Sequence, residues 1–577
     1  MGTPFTLALA GISIAGLTML ASVPADGPSL YNGIRLPSDW PPKSPSWTRE
    51  PVIPPYLYAP PAVIPIDVGR QLFVDDFLIE HTDMERVHHR PTIYPDNPVL
   101  KPDREWEKKG RGETAMPFSD GVWFDPTDGL FKLWYMGGYT EATCLAWSRD
   151  GTHWEKPDFK IVPGTNIVLQ EKRDSSSVVL DHEEKDPGRR WKMFYTHGEE
   201  SPLFLRFSHD GIRWGPVVTQ SEGGLGGRHT VFWNPFLRVW VFSLRDTWAS
   251  QPGARLPVSR TIRYIDQIGG SVPVGRTRRY FEHADVVAGA SFRVEQTVRW
   301  FSSDRLDPQP GQHPEEPASQ IYNHDAIAYE SLVLGLFSIW QGGGQPSRYR
   351  RPKRNEVLIG YSRDGFYWHR PDRTPFLPVS EDPDSWRNGN VQSAGGVCLI
   401  VGDRLLFYFS GRKSLPEVNP TPKGEEAAAT GLAMLRRDGF VSMRAGSRWE
   451  GSLTTRPLLF HGRHLFVNVS AASGVFRAQV ADCDGRTLAR SRPLSVDSTI
   501  AKVQWDDLKD LSVHAGKPVR FRFFLKQGDL YSFWVSRDES GASSGYVAAG
   551  GPGFPGNVDT VGKGAYEAAA TIGRAWE

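Results

Sequence analysis

Polar residues suited to acid–base chemistry recur at five points of the chain, each near the start of an apolar, strand-like run. They are Glu113 and Asp120, then Asp174, then Arg228 and His229, then Asn323, His324, Asp325 and Glu330, and lastly Asn390, Gln392 and Ser393. Two carboxylates in different environments are what cleavage of a glycosidic bond needs. One must stay protonated as the acid, and the other must be ionised as base or nucleophile.

The candidate catalytic residues are therefore the carboxylates Asp325, Asp174, Asp120 and Glu330. The candidate substrate-binding residues are Arg228, His229, His324, Asn323 and Gln392. Arginine and histidine neighbours could hold the carboxyl groups at different pKa values and bind hydroxyls. Asp325 is favoured because no Gly or Pro follows it to make a turn.

The other three carboxylates have structural alternatives. Asp120 could cap a turn before Gly121, Asp174 could be a loop residue, and Glu330 could face solvent at a strand end. Three further acids belong to a repeated Ser-x-Asp-Gly turn, where an aspartate accepts backbone hydrogen bonds, and we expect them to be structural: Asp150, Asp210 and Asp364.

These five groups of polar residues can come together in space if the segments that carry them are copies of one structural unit. Residues 119–154, 177–214 and 323–368 each contain short aromatic strands and end in Ser-x-Asp-Gly-x-x-Trp, and residues 229–265 and 393–440 are weaker copies. Small sheets repeated in this way pack radially as blades. The sequence therefore predicts an all-β protein with a five-bladed β-propeller. A large β-sandwich of unrelated hairpins is the alternative.

The sequence suggests five regions. We expect a signal peptide over 1–25, a Pro-rich linker over 26–70, the propeller over 71–440, a C-terminal β-sandwich over 441–547, and a loose Gly-rich tail over 548–577. A strand at residues 72–79 could close the ring by pairing with the last blade. The long insertion at 266–321 is expected at the rim.

The composition limits the kinds of partner that the protein is expected to bind and where it is expected to be located. The net charge is +1 with both signs interspersed, so nothing indicates a nucleic acid or an anionic membrane surface. Residues 5–22 are apolar and precede small residues, which predicts a secreted or periplasmic protein, with a retained anchor as the alternative. We expect no membrane span in the mature chain, no cofactor and no metal, since the three cysteines are far apart. We expect a monomer.

The repeats, the Ser-x-Asp-Gly-x-x-Trp endings and the trailing β-region resemble glycoside hydrolase family 32 and its five-bladed relatives, families 43, 68 and 130. The stretch at 72–76, Leu-Phe-Val-Asp-Asp, is similar to the start of family 32 N-terminal-domain-like proteins. The resemblance covers roughly 71–534 and implies a central funnel with carboxylates from separate blades. Tyr329-Glu330-Ser331 is the only trace of the family's acid motif.

Three functions remain open from the sequence. The first is a secreted glycoside hydrolase acting on a poly- or oligosaccharide, and the second is a propeller that binds carbohydrate without cutting it. The third is a sialidase-like enzyme, which the Asp-Gly turns suggest but the number of repeats disfavours. Two carboxylates on facing blades would favour hydrolysis over binding.

Overall fold

The computed structural model describes residues 27–44, 49–110, 112–198, 201–223, 227–248, 275–309, 319–342, 353–413 and 428–573. Within these ranges β-strands dominate, so the predicted all-β class is confirmed. The expected signal peptide lies outside the described residues, as does the run at 260–265 that the sequence assigned to the third repeat. No helix in the described ranges is long and apolar enough to cross a membrane.

Three antiparallel sheets of four strands follow one another along the chain, and each is laid out in sequence order. Sheet 1 consists of Ala115–Asp125, Leu130–Gly137, Ala142–Ser148 and Ile167–Leu169. Sheet 2 consists of Ser176–Leu180, Trp191–Tyr195, Phe204–Ser208 and Thr219–Gln220. Sheet 3 consists of Thr230–Asn234, Val239–Trp248, Gly275–His283 and Val298–Phe301. The stretch expected to be a rim insertion thus supplies the two outer strands of sheet 3.

The next repeats form sheets 4 and 5, which join through one parallel pair, Asn355 and Asn390. Sheet 4 consists of Gln320–Glu330, Leu332–Trp340 and Asn355–Ser362, with Tyr546–Val547 on its inner edge. Sheet 5 consists of Asn390–Ser393, Leu399–Val401, Arg404–Arg412, Ala429–Arg436 and Thr92–Ile93. The strand that ties the early chain to the last repeat is therefore Thr92–Ile93, and not residues 72–79 as the sequence suggested.

The first strands of the five sheets contact one another in a closed cycle. Ala115–Asp125 contacts Ser176–Leu180, which contacts Thr230–Asn234, which contacts Gln320–Glu330; Asn390–Ser393 then contacts both Gln320–Glu330 and Ala115–Asp125. Large aromatic side chains fill the space between neighbouring sheets, as where the Trp134 and Trp191 rings lie 4.6 Å apart. Polar residues on the first strands therefore converge on a common centre.

The repeated Ser-x-Asp-Gly turns have the structural role that the sequence predicts. In the first copy the Ser148 hydroxyl accepts the Gly151 N–H at 2.9 Å, and the Asp150 carboxylate accepts the Thr152 N–H at 2.8 Å. Gly151 has φ +80°, which favours glycine. The Gly151 carbonyl then accepts the Tyr408 hydroxyl of sheet 5 at 2.6 Å. The turn therefore also holds neighbouring sheets together.

Two further sheets share a separate hydrophobic core. Sheet 6 consists of Asp497–Lys502, His464–Ser470, Gly528–Ser536, Val441–Ala445, Glu85–His88 and Gln71–Leu72. Sheet 7 consists of Ile79–Thr82, Gly451–Thr455, Arg520–Lys526, Val475–Ala481 and Thr487–Arg490. The short strands Ile64–Pro65 and Leu458–Leu459 pair in parallel beside them. Residues 71–88, which the sequence placed in the ring, therefore belong to these later sheets.

The predicted strand at 72–79 is interrupted, and Asp75 gives the reason. Its buried carboxylate forms an ion pair at 2.9 Å with Arg363, which directly follows the strand Asn355–Ser362 of sheet 4, and accepts the Phe77 N–H at 3.1 Å. This local hydrogen bond competes with strand pairing. The segment consequently turns and fixes sheets 6 and 7 against sheet 4.

Helices are few and short in the described ranges. The α-helices there are Pro55–Tyr58, Val286–Ala290 and Lys563–Gly573, and the 3₁₀ turns are Glu105–Lys108, Pro187–Arg189, Val294–Gln296 and Ser512–His514. Residues 548–573, expected to be loose, are packed against the rest of the chain instead. Asp559 there is buried and lies 3.5 Å from Arg437, and Ala565 is fully buried.

Candidate active site

Asp325 lies in the middle of Gln320–Glu330, at the centre of the cycle of first strands, and not at the strand's start as the sequence suggested. Its Oδ2 atom accepts hydrogen bonds from Ser119 Oγ at 3.2 Å, from Asn323 Nδ2 at 2.7 Å and from Ser393 Oγ. These donors come from sheets 1, 4 and 5. Burial raises the pKa of Asp325, against the opposing effects of Ser393 and Arg228. A carboxyl group of this kind is suited to holding a catalytic proton.

The backbone just before Asp120 has an unusual conformation, and this conformation places the Ser119 hydroxyl next to Asp325. Phe118 and Ser119 have φ of +40° and +67°, and strand pairing is interrupted between Met116 and Gly121. Non-glycine residues rarely adopt such angles, and strain of this kind concentrates at functional sites. Ser119 Oγ also accepts from Asn323 Nδ2 at 2.7 Å.

Asp120 is fully buried beside Arg173, with Arg173 Nη1 at 2.6 Å from its Oδ2 atom. Burial raises the pKa of Asp120, and the Arg173 charge acts in the opposite direction. Arg173 also donates to the Asp174 carbonyl from Nε at 3.1 Å and from Nη2 at 2.9 Å. The arginine thus holds the starts of sheets 1 and 2 together, a role that the sequence did not reveal.

Asp174 is half-buried just before sheet 2, where its backbone N–H donates to Thr196 O at 2.7 Å. Its charge acts on Arg228 and opposes the fall in the pKa of that guanidinium, which burial lowers. Arg173 connects Asp120 to the Asp174 backbone. Asp174 acts on Arg228, and Ser119 connects Arg228 to Asp325. The three carboxylates are therefore linked to one region. The structure keeps all three as candidate carboxylates.

Asn323 is on the same face of its strand as Asp325, because residues two apart in a strand point the same way. Besides its two amide hydrogen bonds, its Oδ1 atom accepts from Arg278 Nη2 at 2.8 Å. Arg278 Nη1 in turn donates to the Arg228 carbonyl at 2.5 Å. Asn323 therefore connects Asp325 to the arginines of sheet 3.

Arg228 and His229 lie at the entry to sheet 3, with Arg228 at φ +75°. The Arg228 guanidinium lies 3.6 Å from the centre of the Phe118 ring and donates to Phe118 O at 3.2 Å. His229 is buried, and its Nδ1 atom accepts the Arg245 backbone N–H at 3.1 Å. Burial lowers the pKa of His229 to about 3, so the ring is neutral. His229 thus supports the backbone of the neighbouring strand.

Six cations, here called the cation cluster, occupy the same end of the first strands. Four of them lie close to the Tyr322 ring, with centroid distances of 4.4 Å for Lys353, 5.5 Å for Arg276 and 5.9 Å for both Arg228 and Arg245. The other two are Arg278, bound to Asn323, and Arg412, which lies 5.4 Å from the Phe118 ring. Apart from Arg228, these residues were not identified from the sequence.

His324 is removed from the candidate site because it points away from it. Its ring lies in an aromatic cage, 4.7 Å from Phe337, 4.8 Å from Trp368 and 5.2 Å from Trp300. The alternation of side chains along a strand requires this, since Asn323 and Asp325 on either side face the centre. Burial holds the pKa of His324 well below its usual value.

Glu330 is also removed, because it lies at the far end of the strand that carries Asp325. It forms buried ion pairs with Arg437 at 3.1 Å and Arg70 at 3.4 Å, and its Oε2 atom accepts from Ser543 Oγ at 2.7 Å. Arg70 and Ser543 belong to segments that run beside sheets 4 and 6. Glu330 therefore joins the ring to the C-terminal sheets, and its burial has a structural reason.

Gln392 is buried on the first strand of sheet 5, and its Nε2 atom donates to Asn390 Oδ1 at 2.9 Å. Because neighbouring strand residues face opposite ways, Ser393 reaches Asp325 and Gln392 does not. The structure thus replaces the predicted Gln392 with its neighbour at the centre of the site.

The arginines that sequence reasoning missed do carry a positional signal. In sheets 3 and 5, Arg245 and Arg412 stand at or near the end of the long strand that pairs with the first strand, next to the entry of that first strand. Arg276 and Arg278 begin the third strand of sheet 3 in alternation. The ends of these pairing strands, taken together with the starts of the first strands, identify Arg245 and Arg412.

A cavity of about 50 Å³ lies beside Asp325 toward the other end of the first strands. It is lined mainly by apolar groups, among them Val231, Ala326 and Ala328. Its volume has room for a few water molecules. The polar residues lie at the opposite end, around the cation cluster. No group of three or more metal-ligating side chains occurs in the parts of the chain that the structure covers.

No protein-family model matches the chain, and no curated protein sequence is similar to it. Similar solved structures include a fructofuranosidase from Schwanniomyces occidentalis in complex with fructose, at 12% identity and a TM-score of 0.35, covering 77% of this chain and 97% of that one. A glycosyl hydrolase from Bacteroides ovatus has 13% identity and a TM-score of 0.35, with 63% and 96% covered.

A family 43 arabinoxylan arabinofuranohydrolase from Bacillus subtilis has 10% identity and a TM-score of 0.29, with 73% and 96% covered. This protein is named as a member of family 43, one of the families that the sequence resembles.

Proposed function

We propose that the protein is a secreted glycoside hydrolase that acts on a poly- or oligosaccharide as a monomer. In this proposal sheets 1–5 are the blades of a five-bladed β-propeller, and sheets 6 and 7 form a β-sandwich that stabilises it. The observation that carries the proposal is Asp325, a buried carboxyl group at the centre of the cycle whose three hydrogen-bond donors come from three sheets.

Asp325 is assigned the role of general acid, because burial raises its pKa and favours the protonated form at the start of the reaction. The second carboxylate is Asp120 or Asp174, both at the same end of neighbouring sheets. A separation of about 5–5.5 Å between the two carboxyl groups would favour retention and about 6.5–9.5 Å would favour inversion. Arg228 and Asn323 would orient the sugar and fix the position of Asp325.

A binding propeller without catalysis is the second candidate, and one observation favours it. All three donors to Asp325 converge on the same oxygen, Oδ2, as they would if the residue only joined sheets 1, 4 and 5. In that case the carboxylate would hold the channel together and the surrounding polar residues would bind sugar.

A glycan panel separates these two functions. The purified protein is incubated with plant and algal polysaccharides and with defined oligosaccharides, and new reducing ends are measured beside binding. Release of reducing ends supports hydrolysis, and the anomer formed first identifies retention or inversion. Saturable binding with no reducing ends released over long incubation would contradict the enzyme and support the binding propeller.

A further inference from the structure

We propose that the cavity beside Asp325 is a water-binding site, in which water bridges the Ser177 hydroxyl to the Oδ1 atom of Asp325 and makes Ser177 a positioning residue for the candidate acid. The binding of water follows from the cavity alone, whereas its effect on catalysis rests on the proposed function. The donors already described come from sheets 1, 4 and 5, and Ser177 is on the first strand of sheet 2. The bridge would therefore connect a fourth sheet to Asp325.

The cavity extends from the interior toward the surface. At its inner end Asp325 and Ser177 are each only 3% exposed, and at its outer end the side chains of His182, Trp233 and Asn557 are partly exposed. The cavity volume of about 50 Å³ exceeds the roughly 10–15 Å³ that one water molecule needs. Water can therefore occupy the cavity and exchange with solvent.

The size of the cavity also selects water over a larger ligand. Pockets that bind small organic molecules usually have about 300–1,000 Å³, well above the volume found here. The apolar walls, which include Val231, Ala326 and Ala328, offer water no hydrogen bonds. Water in the cavity is therefore expected at the few polar groups that line it.

The Ser177 hydroxyl is the first of these polar groups. In the described part of the chain this buried hydroxyl has no hydrogen-bond partner, and its residue lines the cavity. A buried polar group without a partner is costly, and ordered water commonly satisfies such groups. Purely apolar cavities stay dry, so an unpartnered hydroxyl distinguishes this cavity from a dry one.

The carboxyl group of Asp325 is the second. In the described ranges, the hydrogen bonds that it accepts from Ser119, Asn323 and Ser393 are all made to Oδ2. Three donors fill the acceptor capacity of that oxygen, so a proton on the carboxyl group resides on Oδ1. Because Asp325 lines the cavity, water there can accept this proton's hydrogen bond, or donate to Oδ1 when the group is ionised.

The outer part of the cavity supplies further partners, which a bound water molecule needs. Burial and the nearby Arg190 lower the pKa of His182 to about 4, so its ring is neutral and has one donor and one acceptor nitrogen. The carboxamide of Asn557 adds both kinds of group. A line of hydrogen-bonded water from Asp325 to the surface is therefore expected.

Crystals of the full chain, studied before and after pressurisation with xenon, test the water site. We expect ordered water within hydrogen-bond distance of both Ser177 Oγ and Asp325 Oδ1. We expect no xenon in the cavity, because xenon enters dry apolar cavities. Xenon bound in the cavity, or no water that contacts both side chains, would overturn the inference.

The positioning role of Ser177 is tested with the infrared band of the Asp325 carboxyl group, which is identified by its loss in Asp325→Asn. Ser177→Ala removes the bridging hydroxyl, so the band should change frequency, and Ser177→Thr should restore it because a hydroxyl is kept. Ser536→Ala is the control. Ser536 also carries a buried hydroxyl without a partner in the described chain, but it lies in sheet 6.

Thermal melts show whether each variant is folded. An unmoved Asp325 band in folded Ser177→Ala, or an equal displacement in Ser536→Ala, would overturn the positioning role. If the protein is active, the limb of its pH–rate profile that reports Asp325 should move in Ser177→Ala and not in Ser536→Ala.

The crystal and infrared measurements need no substrate, so they separate this inference from the proposed function. Bridging water and a displaced band in a protein that hydrolyses no glycan would support the water site and contradict the enzyme. Hydrolysis by a protein whose cavity takes up xenon would overturn the water site and leave the enzyme intact.

Discussion

Ser119 and Asp325 are 206 residues apart in the chain, and the hydroxyl of one lies 3.2 Å from a carboxylate oxygen of the other. This contact joins sheet 1 to sheet 4 across the centre of the ring. It depends on the left-handed backbone of Ser119, whose φ is +67°. The candidate site is therefore a product of ring closure, and each of its parts is positioned by a different repeat.

Removing one donor should shift the pH dependence of activity. In Ser393→Ala, Asp325 loses a hydrogen bond that lowers its pKa, so the pKa rises further. The limb of the pH–rate profile that reports Asp325 should move to higher pH. A lower rate with an unmoved profile would mean that Ser393 has only a structural role.

Acid should destabilise the protein through its buried histidines. His324 has a pKa held well below the value of about 6.5 expected in the unfolded chain. Below pH 6.5 the unfolded chain takes up a proton at His324 that the folded protein does not bind. The contribution of neutral His324 to the free energy of unfolding is therefore complete above pH 6.5 and is lost as the pH falls. The free energy of unfolding should decrease by about 1.4 kcal/mol per pH unit for this group.

The matching variant is His324→Phe, which keeps an aromatic ring inside the cage. Urea unfolding at pH 7 and pH 5 should show a smaller loss of stability on acidification than in the unsubstituted protein. If both proteins lose the same free energy between these pH values, His324 is not a source of the acid sensitivity.

The sequence predicted the repeats, their Ser-x-Asp-Gly turns and the β-rich class, because alternating aromatic strands and turn residues are local signals. It also placed Asp325, Asn323 and Arg228 near one another. It could not place residues 71–88 correctly, since their pairing partners lie beyond residue 440. Long-range pairing leaves no local trace.

The missed and misplaced site residues have similar explanations. Strand alternation alone would have separated His324 from Asp325, so that error was avoidable. The role of Ser119 could not be predicted, because it depends on an irregular backbone at a position where the sequence has no typical turn residue. Glu330 resembled a catalytic acid only by being an acidic residue in an apolar run; its partners Arg70 and Arg437 are 260 and 107 residues away.

Glu330 should matter for stability and not for chemistry. Replacing it with alanine leaves the buried charges of Arg70 and Arg437 short of a partner, which we expect to lower the free energy of unfolding by about 3–5 kcal/mol. Glu105→Ala is the control, because the Glu105 side chain is 88% exposed in its pair with Lys108 and should contribute under about 0.5 kcal/mol.

Chemical denaturation measures this difference. Turnover per folded molecule on a panel substrate should be unchanged in Glu330→Ala under conditions where it remains folded. A Glu330→Ala protein of normal stability that has lost turnover would return Glu330 to the catalytic residues.

The measurement that tests the central claim most directly is turnover by Asp325→Asn on a substrate found with the glycan panel. The control is Asp403→Asn, since Asp403 is on the surface with 66% of its side chain exposed. The amide keeps the shape of the carboxyl group, so both variants should melt close to the original protein. The account predicts that Asp325→Asn loses turnover by about 100-fold or more while Asp403→Asn keeps it. A folded Asp325→Asn protein with normal turnover would contradict the account.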